Sequence, residues 1–360
     1  MSFTNNVALL LVVSALTAAL PACASGDPPI DDEVSLGGSA GAGPSEGGAA
    51  SASNTGGAIN TGGAINTGGA TATPPLVLPE TVLPAQPRVV AIGDLHSDIG
   101  STRKAFQLAG ATDADDVWIG GALTVVQLGD MIGRSDDERQ VLDFLFDVRE
   151  QARAAGGSVN LLVGNHEVMS ARVDNQAVGA NPFPGYEDVP NLDLTDPRLQ
   201  FLAEDRRKRG AALMSGGPYA KRFAQLPTVL QVGETVFVHG GVVPRWAEYG
   251  IDKINAEVSH WLFGDTAEPD SSLGVDNGDR VMWTRQFSSL VDATDCAVLD
   301  QSLAILGAKR MIVAHTVQST ITGYCDNKVW AVDVGMSRYY GGPIEVLEIA
   351  DDKTLTVLRP

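Results

Sequence analysis

Five short motifs along the chain combine Asp, Asn, Glu and His side chains with small residues. In chain order they are Gly93-Asp94-Leu95-His96, Gly129-Asp130, Gly164-Asn165-His166-Glu167, His239-Gly240-Gly241 and Ala314-His315-Thr316. Carboxylate, imidazole and amide groups together form a mixed oxygen and nitrogen environment, which suits Mn, Fe or Zn. Four of the five His residues lie in this set, and His260 lies outside it. The motifs therefore predict a metal site if the fold brings them together.

Each motif follows a run of residues with strand character. Short, nearly continuous apolar runs predict buried strands at 88–92, 123–128 and 159–163, and helical patterns at 97–108 and 136–155 lie between them. Right-handed crossovers would place the carboxyl ends of these strands at one edge of a sheet. Further strands are predicted at 228–232, 235–239, 310–315, 329–333, 344–349 and 354–358. The alternation predicts an α/β fold in which two packed mixed β-sheets are flanked by helices, in four α/β/β/α layers.

The ordered motifs resemble those of calcineurin-like metallophosphoesterases. Within that superfamily, they resemble the bacterial Shewanella-like protein phosphatases of the phosphoprotein phosphatase group. The resemblance covers nearly all of residues 88–349 and implies two divalent metal ions, with Mn favoured and Fe or Zn as alternatives. It implies that Asp94 and His96 bind the first metal and that Asp130 bridges the two metals. Asn165, His239 and His315 then bind the second metal.

The same resemblance implies three catalytic side chains. His166 matches the general acid of the family, Arg134 matches an arginine that grips phosphate, and Arg285 resembles a second such arginine. In a site of this kind, a hydroxide that bridges the metals attacks phosphorus in line. An imidazole that is not bound to metal can protonate the leaving group, and a guanidinium can bind two phosphate oxygens.

Two departures from the family pattern bear on the chemistry. Gly133-Arg134-Ser135 stands where Asp-Arg-Gly is usual, so the carboxylate that would orient His166 is missing from its usual place. Asp136, Asp137 and Glu167 are candidate substitutes. The last motif continues His315-Thr316-Val317 and so lacks the second His of the phosphodiesterase branches. This departure favours phosphomonoesters and leaves the first metal with fewer protein ligands.

We therefore expect a phosphomonoesterase, with a phosphoserine or phosphothreonine protein phosphatase as the leading hypothesis. Phosphotyrosine or a small phosphomonoester is the variant. A nucleotide or phosphodiester hydrolase on the same scaffold, or a metal-binding lipoprotein without catalytic activity, remains an alternative.

The charge of the chain argues against nucleic acid as a partner. The chain has 25 Lys and Arg residues against 44 Asp and Glu residues, which gives a net charge of −19 over its 360 residues. Binding to a phosphate backbone requires clustered positive charge, which this composition does not provide. A local positive region around a dimetal site with Arg134 and Arg285 is still compatible with a phosphorylated substrate.

The first 86 residues carry targeting signals instead of fold signals. An apolar run at 7–20 leads into Leu20-Pro21-Ala22-Cys23, which resembles a bacterial lipobox, and the run is too short to span a membrane. We expect a signal peptide over 1–23 and an exported, cell-envelope lipoprotein that is anchored only through lipidated Cys23. Residues 24–86 are rich in Gly, Ala, Ser and Thr and predict a disordered tether to a domain at 87–360.

The remaining features concern the domain itself. In an exported protein Cys296 and Cys325 are expected to form a disulfide, with two unpaired thiols as the alternative. Residues 171–217 are expected to form an insertion over the site, or a lid, with one helix around 199–209. Arg206-Arg207-Lys208-Arg209 is expected to be a solvated helix end, with a phosphate-binding patch as the alternative.

Overall fold

The computed structural model describes residues 75–174, 185–269 and 278–360. The predicted signal peptide and lipobox, and most of the tether, lie outside these residues. The sheets nevertheless include residues before 87, because Val82–Leu83 forms strand β1 and pairs in parallel with a strand of the domain. Within the described ranges, no helix combines the length and the apolar character that crossing a membrane requires.

One sheet has five strands in the order β11-β10-β2-β3-β4. The three strands β2, β3 and β4 are parallel, and β10 is antiparallel to both β2 and β11. Their bounds are Arg88–Ile92 for β2, Thr124–Gln127 for β3, Ser158–Leu161 for β4, Val346–Ala350 for β10 and Thr354–Leu358 for β11. The predicted β-α-β-α-β order is therefore present at the centre of this sheet.

The second sheet has six strands in the order β1-β5-β6-β7-β9-β8. Strands β6, β7 and β9 are parallel, whereas β5 and β8 are antiparallel to their neighbours β6 and β9. The bounds are Val229–Val232 for β5, Thr235–Val238 for β6, Arg310–Val313 for β7, Thr322–Tyr324 for β8 and Val329–Ala331 for β9.

The helices within the described residues run as follows: α1 Ile99–Leu108, α2 Glu138–Ala154, α3 Asn165–Ala171, α4 Arg207–Leu213, α5 Pro218–Phe223, α6 Pro244–Tyr249, α7 Ile251–Phe263 and α8 Ala293–Leu306. Buried residues of both sheets and of the helices around them form one hydrophobic cluster. The α/β fold with two mixed sheets flanked by helices is thus confirmed.

The insertion differs from its prediction. Instead of one helix around 199–209, the chain forms two 3₁₀ turns, Pro197–Phe201 and Glu204–Arg206, before α4. A continuous helix would separate residues 199 and 210 by about 16 Å. In the structure, the side chains of Leu199 and Leu202 instead pack against Gly210, in a small cluster of their own. Burial of these two leucines thus favours a folded-back chain.

The basic run of the insertion was also interpreted wrongly at one position. Arg209 is buried, and its Nε and Nη2 donate to the two oxygens of Glu138 at 2.8 and 2.7 Å. Glu138 also accepts a hydrogen bond from the hydroxyl of Tyr186 at 2.8 Å and one from the backbone N–H of Gly133 at 3.3 Å. A buried arginine needs such a partner, so this network binds the insertion to helix α2.

Cys296 and Cys325 form a disulfide with an S–S distance of 2.03 Å. It joins the first turn of α8 to the turn between β8 and β9.

Candidate metal centre

The parallel strands deliver the motif residues to one place, because each motif begins just after a strand ends. Asp94 and His96 follow β2, Asp130 follows β3, and Asn165 begins α3 shortly after β4. In the other sheet, His239 follows β6 and His315 follows β7. The six predicted metal ligands and His166 are all buried. The structure therefore brings together all the side chains that the sequence analysis selected as ligands.

The loops after the strands turn sharply. His96, Asp130 and His315 have φ values of 45°, 52° and 67°, in the left-handed region that few residues other than glycine adopt. Such strain persists only where the surrounding structure imposes it, and it concentrates at functional sites. A glycine is required before Asp130, because a Cβ on Gly129 would lie 2.5 Å from the backbone nitrogen of Gly164.

Glu167 holds two of these loops against each other. Its Oε1 accepts from the backbone N–H groups of Met131 (2.9 Å) and Ile132 (3.3 Å). Its Oε2 accepts from those of Asp130 (3.0 Å) and Gly164 (2.8 Å). Both oxygens are thus occupied by backbone donors, and Glu167 fixes the position of Asp130.

Two groups of ligand atoms share Asp130. Among the described residues, Asp130 with His96 and His166 forms one group, and Asp130 with His239 and His315 forms the other. Within each group the ligand atoms lie within 4.8 Å of one another. Asp94 lies beside both groups, with Oδ2 3.6 Å from Nε2 of His96 and Oδ1 3.8 Å from Nδ1 of His239. The position of Asp130 between the groups is the one expected of a bridging ligand.

The Asn165 amide faces three other predicted ligands. One end of the amide lies 2.8 Å from Nε2 of His239. The same end lies 3.0 Å from Nδ1 of His315 and 3.2 Å from Oδ2 of Asp130. An amide oxygen, two imidazole nitrogens and a carboxylate oxygen that meet in this way are atoms that can bind a divalent cation.

Hydrogen bonding and burial set the protonation of the ligand side chains. Nδ1 of His239 lies 2.8 Å from the carbonyl oxygen of Leu128, which accepts its proton and directs Nε2 at the ligand cluster. Burial lowers the pKa of His96 to about 4, so this ring is neutral near pH 7. Burial acts to lower the pKa of His239, but Asp130 raises it above the ordinary value. For Asp130, burial acts to raise the pKa, but the nearby His239 holds it well below the ordinary value. Because metal binds neutral imidazole and ionised carboxylate, a cation at His239 must displace a proton.

Sequence reasoning missed one acidic residue of the site, Asp333. It follows β9, is buried, and lies near enough to Asp94 for its charge to raise the pKa of that carboxyl group. Burial raises the pKa of Asp333 to about 6, and burial together with Asp333 and Asp130 raises that of Asp94 well above its ordinary value. Two buried carboxyl groups in contact favour a nearby positive charge. The signal was the apolar run that ends in Asp333, which has the same pattern as the run before Asp94.

His166 lies beside the bridging carboxylate. Its backbone N–H donates to Oδ1 of Asp130 at 2.9 Å, and its Nε2 is 3.7 Å from Oδ2. Burial lowers the pKa of His166 to about 3. Within the described part of the chain, its buried Nδ1 has no hydrogen-bond partner. The carboxylates considered as substitutes for the missing Asp, including Asp137, which pairs with Arg338 at 2.7 Å, therefore do not orient this ring.

Two arginines flank the ligand cluster. Arg134 has a φ of 66°, and its positive charge contributes to the lowered pKa values of His96 and His166, which places it beside them. Nη1 of Arg285 donates to the carbonyl oxygen of His315 at 2.8 Å and to Oγ1 of Thr316 at 3.2 Å. The site thus has positive side chains on both sides of the buried acids.

His260 lies outside this site. It is partly exposed, with Nδ1 3.3 Å from Oδ2 of Asp265 near the end of α7.

Comparison with known proteins agrees with this geometry. Residues 87–319 match the family model of the calcineurin-like phosphoesterases. The chain is 37% identical to Shewanella-like protein phosphatase 2 of Arabidopsis thaliana, over 75% of this chain and 77% of the relative. It is 29% identical to Shewanella-like protein phosphatase 1 of Plasmodium berghei, over 76% and 74% of the two chains.

Among solved structures, a cold-active protein tyrosine phosphatase of a psychrophilic Shewanella has a similar fold. The TM-score is 0.59 at 24% identity, over 78% of this chain and 83% of the other. The matched family model includes the loops that carry all six predicted ligands. The chain therefore belongs to the calcineurin-like phosphoesterase family.

Proposed function

We propose that the protein is a metal-dependent phosphomonoesterase that removes phosphate from phosphorylated proteins. The observation that carries this proposal is buried Asp130, which lies within ligand distance of His96 in one group and of His239 and His315 in the other. Arg134 lies beside His96, and Arg285 lies beside His315. The Arabidopsis and Plasmodium relatives are named protein phosphatases, which supports a phosphoprotein substrate.

The mixed oxygen and nitrogen ligands suit two divalent cations, Mn, Fe or Zn, of which the family resemblance favours Mn. Asp94 and His96 would hold the first cation and Asn165, His239 and His315 the second, with Asp130 between them. Cations bound there supply positive charge that polarises the phosphoryl group and acidifies water. The protein then contributes burial, which strengthens each electrostatic interaction at the site.

The two arginines have a separate role in binding substrate. A guanidinium can donate two parallel hydrogen bonds to phosphate oxygens, so Arg134 would orient the monoester and balance its charge. Arg285 is held by the carbonyl oxygen of His315 and would contact the phosphate from the side of the second ligand group.

The state of His166 favours a phosphotyrosine substrate. A ring whose Nδ1 has no hydrogen-bond partner among the described residues is a poor proton donor, because no carboxylate at that nitrogen stabilises its protonated form. The phenol of tyrosine has a pKa of about 10, which makes it a much better leaving group than the alkoxide of serine. Phosphoserine and phosphothreonine, which the sequence analysis favoured, remain the alternative substrates.

The test is phosphate release by the full-length, Mn²⁺-loaded protein from three peptides that differ only in carrying phosphotyrosine, phosphoserine or phosphothreonine. We expect the phosphotyrosine peptide to be hydrolysed faster than the phosphoserine and phosphothreonine peptides. Asp130→Asn should abolish hydrolysis, because the shared carboxylate is lost. Absence of release from every peptide would refute a phosphomonoesterase. Hydrolysis of the diester bis(p-nitrophenyl) phosphate at a faster rate than the monoester would refute it as well.

We also propose that the protein is exported and lipidated at Cys23. The support is the apolar run at 7–20 with the adjoining Leu-Pro-Ala-Cys, and a disulfide is typical of oxidising compartments. Metabolic labelling with radioactive palmitate in a bacterial host should mark the wild-type chain and not Cys23→Ser. Equal labelling of both, or of neither, would refute the anchor.

A further inference from the structure

Two tyrosines connect a predicted metal ligand to the predicted phosphate-binding arginine. The ring of Tyr340 lies 5.3 Å from the ring of His96, and the rings of Tyr340 and Tyr339 meet edge to face at 4.8 Å. The guanidinium carbon of Arg134 then lies 5.3 Å from the centre of the Tyr339 ring. The four side chains form a continuous row along one side of the site.

The loop that carries these tyrosines is firmly held. The backbone N–H of Arg338 donates to Oδ2 of Asp98 at 2.6 Å, and its side chain pairs with Asp137 at 2.7 Å. The backbone N–H of Gly342 donates to the carbonyl oxygen of Gly335 at 2.8 Å, which closes the loop. Fixed contacts at both ends give Tyr339 a defined position relative to Arg134.

Tyr339 is half exposed, with a relative accessibility of 51%. Tyrosine combines a large apolar face with a polar hydroxyl, which makes it common at binding surfaces. Its ring is not needed to complete the hydrophobic core, because it lies outside the buried cluster. An exposed ring next to a phosphate-binding arginine is therefore available to a substrate.

We propose that Tyr339 determines specificity by packing against the aromatic ring of the substrate, so that the site prefers aryl over alkyl phosphates. This inference rests on the proposed phosphatase function. In an aryl phosphate, one ester oxygen separates the ring from phosphorus. When Arg134 binds the phosphate, the ring of the substrate therefore lies next to Tyr339. Aromatic rings attract at centroid distances of about 4.5 to 7 Å, a range that this placement allows. The short side chain of phosphoserine has no group that reaches the tyrosine ring.

A narrower role is that Tyr339 only orients Arg134 through the cation–π contact. The two roles make different predictions. Loss of orientation would weaken every phosphate ligand to the same extent, whereas loss of an aromatic contact would weaken only the ligands that carry a ring. The change in the aryl-to-alkyl ratio from wild type to variant separates these roles, because the intrinsic reactivity of each ester is the same for both proteins and cancels.

The experiment compares full-length, Mn²⁺-loaded wild type with Tyr339→Leu and Tyr339→Phe. The first readout is kcat and KM on the matched phosphotyrosine and phosphoserine peptides. The second is the affinity for benzylphosphonate and ethylphosphonate by calorimetry, which needs no turnover; in both, a CH₂ group takes the place of the ester oxygen. For Tyr339→Leu we expect the aryl-to-alkyl ratio of kcat/KM, and that of the two affinities, to fall about two- to twelvefold, mainly through KM. Tyr339→Phe keeps the ring and should retain both ratios.

Equal losses for aryl and alkyl ligands in Tyr339→Leu would overturn the proposal and leave only the orienting role. Unchanged ratios would overturn it as well. If the wild type binds both phosphonates but hydrolyses neither peptide, the proposed function fails, and the affinity ratio still decides the role of Tyr339.

Discussion

At the scale of single residues, replacing the amide of Asn165 tests the predicted metal site directly. Its oxygen faces His239, and the same end of the amide faces the Asp130 carboxylate and His315. Removing that oxygen takes away one ligand and leaves the other side chains in place.

We therefore predict that Asn165→Ala lowers the affinity for one of two Mn²⁺ ions by at least about tenfold. After dialysis against low Mn²⁺, mass spectrometry of the metal should find close to one ion per chain instead of two. Asn160→Ala is the matched control, because Asn160 lies on β4, belongs to neither ligand group, and among the described residues donates to Val125 and Ser158. Equal metal content in the two variants would show that Asn165 is not a ligand.

All six predicted ligands were selected from sequence, because each lies in a short Gly- or Ala-containing motif after an apolar run and matches the pattern of a known family. Asp333 was missed because Val332 precedes it, whereas Gly precedes both Asp94 and Asp130. The role of Glu167 could not be predicted either, since its partners are backbone N–H groups of another loop. Contacts of that kind depend on the fold and leave no pattern of side chains.

At the scale of elements, the loop after β3 depends on close contact between two backbones. Gly129 and Gly121 both have positive φ, 90° and 56°, but their surroundings differ. A Cβ on Gly129 would overlap the backbone of Gly164, whereas a Cβ on Gly121 would have no heavy atom within 4 Å among its non-neighbouring residues. Comparing alanine variants of these two glycines therefore distinguishes the cost of backbone strain from the cost of steric overlap.

We predict that Gly121→Ala lowers the free energy of unfolding by about 1 to 2 kcal/mol, from left-handed backbone strain alone. Gly129→Ala should cost about 3 kcal/mol or more, because overlap adds to the strain. Urea unfolding followed by circular dichroism measures both. If both variants lose the same stability, close contact between the two loops does not matter.

The insertion depends on the buried pair of Arg209 and Glu138, which are 2% and 1% exposed. Arg209→Gln leaves the Glu138 carboxylate buried with no compensating charge, so we predict a loss of about 3 to 5 kcal/mol in unfolding free energy. Lys208→Gln is the control, because the neighbouring Lys208 is exposed and its replacement should change stability by less than about 0.5 kcal/mol. A small effect of Arg209→Gln would mean that the insertion does not rely on this pair.

Among the elements, the nine predicted strands and the first two helices were placed to within about two residues because their apolar periods are regular. The short strands β1 and β8 were not predicted. The insertion was not, because its small cluster packs Leu199 and Leu202 onto Gly210 across a chain reversal. Neither local propensity nor charge patterning encodes that reversal.

At the scale of the whole molecule, the disulfide links residues 29 apart in sequence and so shortens the unfolded chain. By the chain-entropy relation, a loop of this size stabilises the domain by about 3 to 4 kcal/mol. We predict that a reducing agent lowers the urea midpoint of the wild type by a corresponding amount. The double variant Cys296→Ala/Cys325→Ala should be unaffected by the reductant, and a wild type that is equally insensitive would contradict the predicted contribution.

The central claim is that this buried cluster binds metal and thereby hydrolyses phosphomonoesters. The most direct measurement removes metal from the full-length protein with a chelator, restores Mn²⁺ stepwise, and follows phosphate release from a phosphotyrosine peptide together with bound metal. We predict no release without metal and full release as occupancy approaches two ions per chain, with Asp130→Asn inactive at every Mn²⁺ concentration. Release that is independent of metal, or no release from protein with two bound ions, would contradict the claim.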